Sequence, residues 1–197
     1  MTSLDATLRR ITQHLLDAEA AFALIGGLAV SIRTEPRFTR DADLVVAVAG
    51  DVEAEALVHR LHAEGYQLGT VLEQNVVGRL ATVRLQWSTE SQGPIVDLLF
   101  ASSGIEADIV RDADLLEVLP QLTMPVARTG HLIALKLLSR NDIDRPQDVI
   151  DLRALVRAAT DEELGRARDA TRLIEARGYN RGRRLGSGLE ELVRDRT

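Results

Sequence analysis

Three aspartates stand in runs that otherwise read as apolar strands. Asp41 and Asp43 open Asp41-Ala42-Asp43-Leu44-Val45-Val46, and Asp97 lies inside Ile95-Val96-Asp97-Leu98-Leu99. On an extended chain, residues two apart share a face. Carboxylates side by side repel, so Asp41 and Asp43 require a cation between them. Mg2+ is the natural candidate, being hard and preferring oxygen ligands. An aspartate inside an apolar run is expensive to bury without a partner. If the strand of Asp97 neighbours that of Asp43, three carboxylates converge. That is enough to hold two Mg2+ ions for in-line phosphoryl or nucleotidyl transfer. Gly26-Gly27 supplies the complementary half, directly after the apolar run Ala21-Phe22-Ala23-Leu24-Ile25. Glycines let backbone N–H groups approach a phosphate, and a helix starting there turns its positive end toward the anion.

The basic residues carry a second signal. Of 24 Lys and Arg residues, one is lysine, Lys136. A GC-rich genome accounts for the arginines. The retained lysine offers a compact ammonium that a planar guanidinium does not copy.

The string Ile25-Gly26-Gly27, a spacer, then Asp41-Ala42-Asp43-Leu44 resembles the signature of the DNA polymerase β-like nucleotidyltransferase superfamily. The longer string, with Arg37-x-Thr39-x-Asp41-x-Asp43, resembles one branch in particular, the AbiEii/AbiGii-type nucleotidyltransferases, toxins of type IV toxin–antitoxin systems, and their relatives. The similarity resumes at Pro125-Val126, a helix with Lys136, an Arg/Asp-rich turn, and Asp148-x-x-Asp151-Leu152. This resemblance implies an α/β (α+β) fold, a mixed sheet flanked by helices with a helical C-terminal unit. It implies Mg2+ held by Asp41, Asp43 and Asp97, with Asp97 also able to act as general base on the acceptor hydroxyl. It implies a nucleoside triphosphate held by Gly26, Gly27 and Lys136, with Thr39, Arg40, Asp148 and Asp151 around the nucleotide. One departure stands out: many active members carry Ser at the second glycine, where its hydroxyl touches a phosphate, and here it is Gly27. The implied activity is Mg2+-dependent transfer of a nucleoside monophosphate from NTP to an acceptor hydroxyl on RNA (tRNA) or protein, with an antitoxin encoded nearby. Two alternatives stay open: a small-molecule enzyme like the aminoglycoside nucleotidyltransferases, and a non-catalytic binding protein that keeps the fold.

Positioning these groups takes alternating strands and helices. The pattern predicts a helix over 3–20 capped by Ser3, a strand over 21–25, a short helix over 28–33, and a loop over 34–40 containing Pro36. It continues with a strand over 41–48 and a helix from an Asp51 cap to Glu64, closed by Gly65. Strands over 66–72 and 76–87 follow, then a turn over 88–93, an apolar run from Pro94, and a helix over 105–119. Beyond Pro125 the pattern is helical, with Pro146 at a first helical position. Thr160-x-x-Glu163 and Ser187-x-x-Glu190 read as capping boxes. The expectation is an α/β nucleotidyltransferase core over 1–125 and a helical unit over 126–197.

Composition excludes several classes. A net charge of −6 argues against coating nucleic acid by bulk charge, and the absence of cysteine removes disulfides and thiolate chemistry. No apolar run reaches the ~18 residues of a membrane span. The first twenty residues are amphipathic and of mixed charge rather than a secretory leader, so a soluble, cytoplasmic protein without membrane contact is expected. Structural readings compete with the chemical ones. Asp41 and Asp43 could cap an exposed strand edge, and Asp97 could pair with Arg84. Asp148 and Asp151 could lie on a solvated helix face with Arg145 or Arg153. His59 and His62, three apart on a helix, read better as a solvated face than as a zinc pair. Arg177 to Arg184, with Tyr179 among four arginines, could bind a phosphate backbone but reads better as a solvated, partly disordered connection.

Overall fold

The protein is described from a computed structural model, over residues 3–74, 78–89, 93–140 and 146–196. The elements follow in the order α1 (Ser3–Asp17), β1 (Ala21–Ile25), α2 (Gly26–Arg33), β2 (Ala42–Ala47), α3 (Asp51–Ala63), β3 (Tyr66–Gln74), β4 (Arg79–Trp87) and β5 (Ile95–Leu99). Then come α4 (Glu106–Asp112), β6 (Asp114–Leu119), β7 (Leu122–Val126), α5 (Thr129–Ser139), α6 (Pro146–Ala158), α7 (Asp161–Ala176) and α8 (Leu185–Arg194). The strands form one mixed seven-stranded sheet in the order β3-β4-β5-β2-β1-β7-β6. β2 runs parallel to β5 and antiparallel to β1, and β1 runs parallel to β7.

The central strands are almost wholly apolar because both of their faces are covered. Phe22 to Ile25 on β1 and Leu44 to Val46 on β2 are buried. From α1, Leu8, Ile11 and Leu15 join this core at the expected helical spacing. Each such leucine contributes roughly 2 kcal/mol when fully buried. The helices after β7 form a second layer, in which α5 packs on α6, α7 and α8, and α2 touches both α5 and α6. Among the described residues, no helix is long and apolar enough to cross a membrane.

Several boundaries differ from the sequence expectation. The stretch 105–119 is not one helix: α4 ends at Asp112, and 114–119 is β6, paired antiparallel with β7. Pairing overrides the local pattern here. Asp114 receives Arg33 at 2.9 Å and Arg128 at 3.0 Å, and Gln121 takes a left-handed conformation (φ 64°) that closes the hairpin. α2 begins at Gly26 rather than at residue 28. Gly50, not Asp51, is the N-cap of α3. Ser187 lies inside α8, whose N-cap is Arg184, and Glu190 pairs with Arg168 at 2.7 Å instead of closing a capping box. The Thr160 cap does form, its hydroxyl accepting the N–H of Glu163 at 3.2 Å.

Candidate active site

One register row across the sheet sets up the site. Ile25 on β1 lies opposite Asp43 on β2, Asp43 beside Asp97 on β5, and Asp97 opposite Arg84 on β4. β2 is an interior strand, so Asp43 is not at an exposed edge. Arg84 grips Asp97 with both limbs of its fork, Nε donating to Oδ1 at 2.9 Å and Nη2 to Oδ2 at 2.7 Å. Among the described residues, Asp43 has no such counter-ion. Burial, then the charges of Asp97 and Asp41, push its carboxyl up to about 6, against the pull of Lys136 and the N–H of Gly27. Asp41, just before β2, is thus close enough to act on Asp43.

The Gly26-Gly27 turn abuts this row. Gly26 is left-handed (φ +65°), and a Cβ there would run into the carboxylate of Asp43, so glycine is required twice over. α2 starts at this turn without a side-chain cap; the N–H of Gly27 is directed to Asp43, and the other first-turn N–H groups meet no capping side chain and can face an anion. A Cβ on Gly27 would lie 2.5 Å from Arg37 Nη2 and 3.2 Å from Thr39 Oγ1. Arg37 therefore fills the space that a serine side chain would take, which accounts for the departure at this position.

Behind the turn lies a rack of alternating charges. Lys136 Nζ donates to Asp148 Oδ1 at 2.6 Å and lies 2.8 Å from Asp151 Oδ2. Asp151 also accepts from Arg37 at 2.8 Å and from Gln147 at 3.0 Å. Asp148 and Asp151 are 6% and 1% exposed, so neither lies on a solvated face. Neither pairs with Arg153 among the recorded ion pairs, and Arg145 lies outside the described residues. Burial alone would raise Asp151, but hydrogen bonds from Lys136 and Gln147 and the charge of Arg37 hold it below the usual carboxylate range. Asp148 Oδ2 is buried without a partner.

A cavity of about 400 Å³ opens over these groups, lined by Gly26, Gly27, Asp43, Asp97, Lys136 and Asp148 among others. Thr39 stands beside Gly27, whereas Arg40 is exposed with its guanidinium 5.6 Å from the ring of Phe38, turned to a neighbour rather than to the cavity. Sequence reasoning missed Arg37, Gln147 and Arg181 as site residues. Arg37 was legible in Arg37-x-Thr39-x-Asp41-x-Asp43, but Arg181 carried no local signal that set it apart from its basic neighbours. The arginines of that basic run are exposed, as expected of a solvated connection, but the run is anchored to the fold. Tyr179 is buried, Arg177 reaches Asp108 at 2.6 Å, and Arg181 donates to Ser102 O at 3.2 Å.

The oxygen-only donor set fits a hard dication. Asp97 already engages a guanidinium, and the carboxyl of Asp43 is raised by burial and by its acidic neighbours. Among the described residues, no three carboxylates or imidazoles are gathered into a ready cage.

The fold is shared with nucleotidyltransferases. An antigenic nucleotidyltransferase-like protein from Paracoccidioides brasiliensis superposes with a TM-score of 0.53 at 17% identity, over 95% of this chain and 92% of that one. ANT(2")-Ia in complex with adenylyl-2"-tobramycin superposes with a TM-score of 0.59 at 13% identity, over 89% and 99%. The solution structure of the antibiotic-resistance factor ANT(2'')-Ia gives 0.55 at 18% identity, over 90% and 94%. No curated protein sequence matches the chain. The family described as Nucleotidyl transferase AbiEii toxin, Type IV TA system, matches residues 8–196. With that match spanning nearly its whole length, the chain belongs to the AbiEii family of nucleotidyltransferases, toxins of type IV toxin–antitoxin systems.

Proposed function

We propose that this nucleotidyltransferase moves a nucleoside monophosphate from a Mg2+-bound NTP to an acceptor hydroxyl on RNA or protein, and that an antitoxin restrains it. The observation that carries the reading is the register row: Asp43 and Asp97 side by side, with Gly26-Gly27 and Lys136 at the same cavity. Asp41, Asp43 and Asp97 are the residues that would hold Mg2+, which when bound neutralises charge developing on the phosphates. The N–H groups at the start of α2 receive phosphate oxygens, and Lys136 donates to them from the opposite wall. Asp148 and Asp151 fix the ammonium of Lys136 in place. Arg37 braces Asp151 from beneath the turn. Asp97 lies where it can accept the proton of an incoming hydroxyl once Arg84 releases it. Arg84, 45% exposed, has room to move aside.

Calorimetry with ATP, with and without Mg2+, tests the nucleotide half. Mg2+-dependent binding that disappears in Asp43→Asn supports it, and no binding in either condition returns the protein to a scaffold role. Incubation with each labelled NTP and total tRNA tests the acceptor. Label on RNA, on protein, or on neither decides between the two macromolecular acceptors and a small molecule.

A further inference from the structure

Along β5 the cavity runs from an inner half at the row of Asp43 and Asp97 to an outer half toward Leu99 and Ser102. The inner half holds Gly26, Gly27, Asp43, Lys136 and Asp148. The outer half is walled by Thr82, Leu99 and Ser102, with Arg84 and Arg181 as its charged groups. Its guanidiniums differ in their commitments. Arg84 is forked onto Asp97. Arg181 has one recorded hydrogen bond, to the carbonyl of Ser102, and among the described residues no carboxylate pairs with it. Glu106, the acid nearest that loop, is already occupied. Its Oε1 accepts from the N–H and hydroxyl of Ser102 and of Ser103 at 2.6 to 3.2 Å.

Arg181 is also deliberately placed. Its backbone is left-handed (φ +53°), a conformation that a side chain beyond Cβ rarely adopts unless the surroundings enforce it. Here they do. Tyr179 is buried at 8% exposure, and Arg177 ties the same turn to Gly104 O and Asp108. The turn between α7 and α8 is thus docked on the loop after β5, and it delivers to the cleft a guanidinium that feels the charge of Glu106 but, among the described residues, is ion-paired to no carboxylate. The inner half, with the α2 N-terminus and Lys136, serves the triphosphate. A second anion-binding group beyond Asp97 belongs to the other substrate. A polyamine acceptor would meet two guanidiniums and no free acid there.

We propose that Arg181 is a specificity-determining residue that binds a phosphate group of the acceptor in the outer half of the cleft. A planar guanidinium suits a phosphate bidentately. This rests on the nucleotidyl-transfer reading of the inner half, and the test separates the two. The full chain, with Mg2+ and saturating α,β-methylene-ATP, is titrated by NMR with ribose 5-phosphate against ribose, and with the dinucleotide CpA against adenosine. At least one phosphate-bearing probe should bind roughly tenfold more tightly than its uncharged counterpart. Preference for ribose 5-phosphate points to a small phosphorylated acceptor, and preference for CpA to a polynucleotide; either supports the proposal. Arg181→Gln should erase the preference while leaving the affinity for the ATP analogue unchanged, and Arg181→Lys should keep part of it. Melting curves of both variants confirm folding. Equal binding of charged and uncharged probes by the wild type overturns the proposal. So does a preference that survives in Arg181→Gln, or a variant that loses the ATP analogue together with the probes. If the analogue does not bind the wild type at all, the inner-half reading falls first and this one with it.

Discussion

Helix α5 carries two charged neighbourhoods of similar composition and different character. At its start, His131 lies among Asp112, Glu163, Arg128 and Arg166. The carboxylates there are all met: Asp112 receives Arg166 at 3.2 Å, Asp114 receives Arg128 at 3.0 Å, and Glu163 accepts the N–H of Gly130 at 2.6 Å. His131 Nδ1 is a loose end in that network. At the other end of the helix, Lys136 faces a cleft where charges do not balance. Among the described residues, no cation is ion-paired with Asp43, no donor meets Asp148 Oδ2, and no acid is ion-paired with Arg181. The first network meets each of its carboxylates, leaves the nitrogens Arg166 Nε and His131 Nδ1 without hydrogen-bond partners, and holds α5 and α7 to the hairpin. The second leaves charged groups unmatched around a cavity, which is the usual mark of a site rather than a strut.

The contrast can be broken most sharply through the acids. Asp43→Asn and Asp97→Asn should each lower transfer from labelled NTP on the order of a thousandfold, since several kcal/mol of charge stabilisation are lost. Asp112→Asn at the other end should leave transfer per folded molecule within about threefold. Comparable losses at both ends would erase the distinction.

Lys136 sharpens it next. Two buried aspartates make Lys136 part of the fold as well as of the cleft. Lys136→Ala strands Asp148 and part of Asp151, so unfolding free energy should drop by about 3 kcal/mol. Adding Asp148→Asn should recover part of that stability and none of the activity. A melting temperature unmoved by Lys136→Ala would show that the rack relaxes into water.

The two ends should answer pH with opposite signs. Asp43 holds its proton more tightly folded, at about 6, than unfolded, at 3.8. Without metal, its ionisation therefore weakens the fold as pH rises from about 4 to 6, by at most about 3 kcal/mol. Asp43→Asn in chelator should gain on the wild type above pH 6 and lose that gain below pH 4, and Mg2+ should narrow the gap. His131 is held below its ordinary 6.5 by burial first, so the unfolded chain takes the proton more readily and stability falls as pH drops through that value. His131→Gln should remove this acid-side loss. Denaturant titrations at pH 4, 5, 6.5 and 8 check both, and parallel curves for wild type and variants would deny either role.

The smallest effect is a control. Arg168 and Glu190 form an exposed pair joining α7 to α8 at 2.7 Å. Arg168→Ala should change stability by no more than about 0.5 kcal/mol by calorimetry, because water screens such pairs. A larger loss would mean that the helical layer depends on surface charge more than its buried leucines suggest.

How much was legible varied with the range of the interaction. The strand at 21–25, the loop with Pro36 and the Thr160 cap follow from neighbours in sequence and emerge as expected. Residues 105–119 do not, because Leu115 to Leu119 has no fixed period of its own and becomes a strand only by pairing with Leu122 to Val126. Asp148 and Asp151 read equally well as a solvated face until α5 and Arg37 are brought against them. The basic run at 177–184 looks like a linker because nothing nearby in sequence discloses the Ser102 loop that receives it.

The sequence by itself determined the residue types and their spacing: a Gly-Gly turn after an apolar strand, paired aspartates, a third within another strand, and a solitary lysine. Those patterns depend on backbone period and charge, which are local. Only the tertiary structure decided which charges meet. It set Asp97 beside Asp43 in register and gave Asp97 to Arg84. It locked Lys136 between two buried acids, filled the space over Gly27 with Arg37, and carried Arg181 across from the C-terminal helices. Coulomb and hydrogen-bond energies act over a few ångströms of space, and those few ångströms are bridged here by residues up to 114 positions apart in the chain.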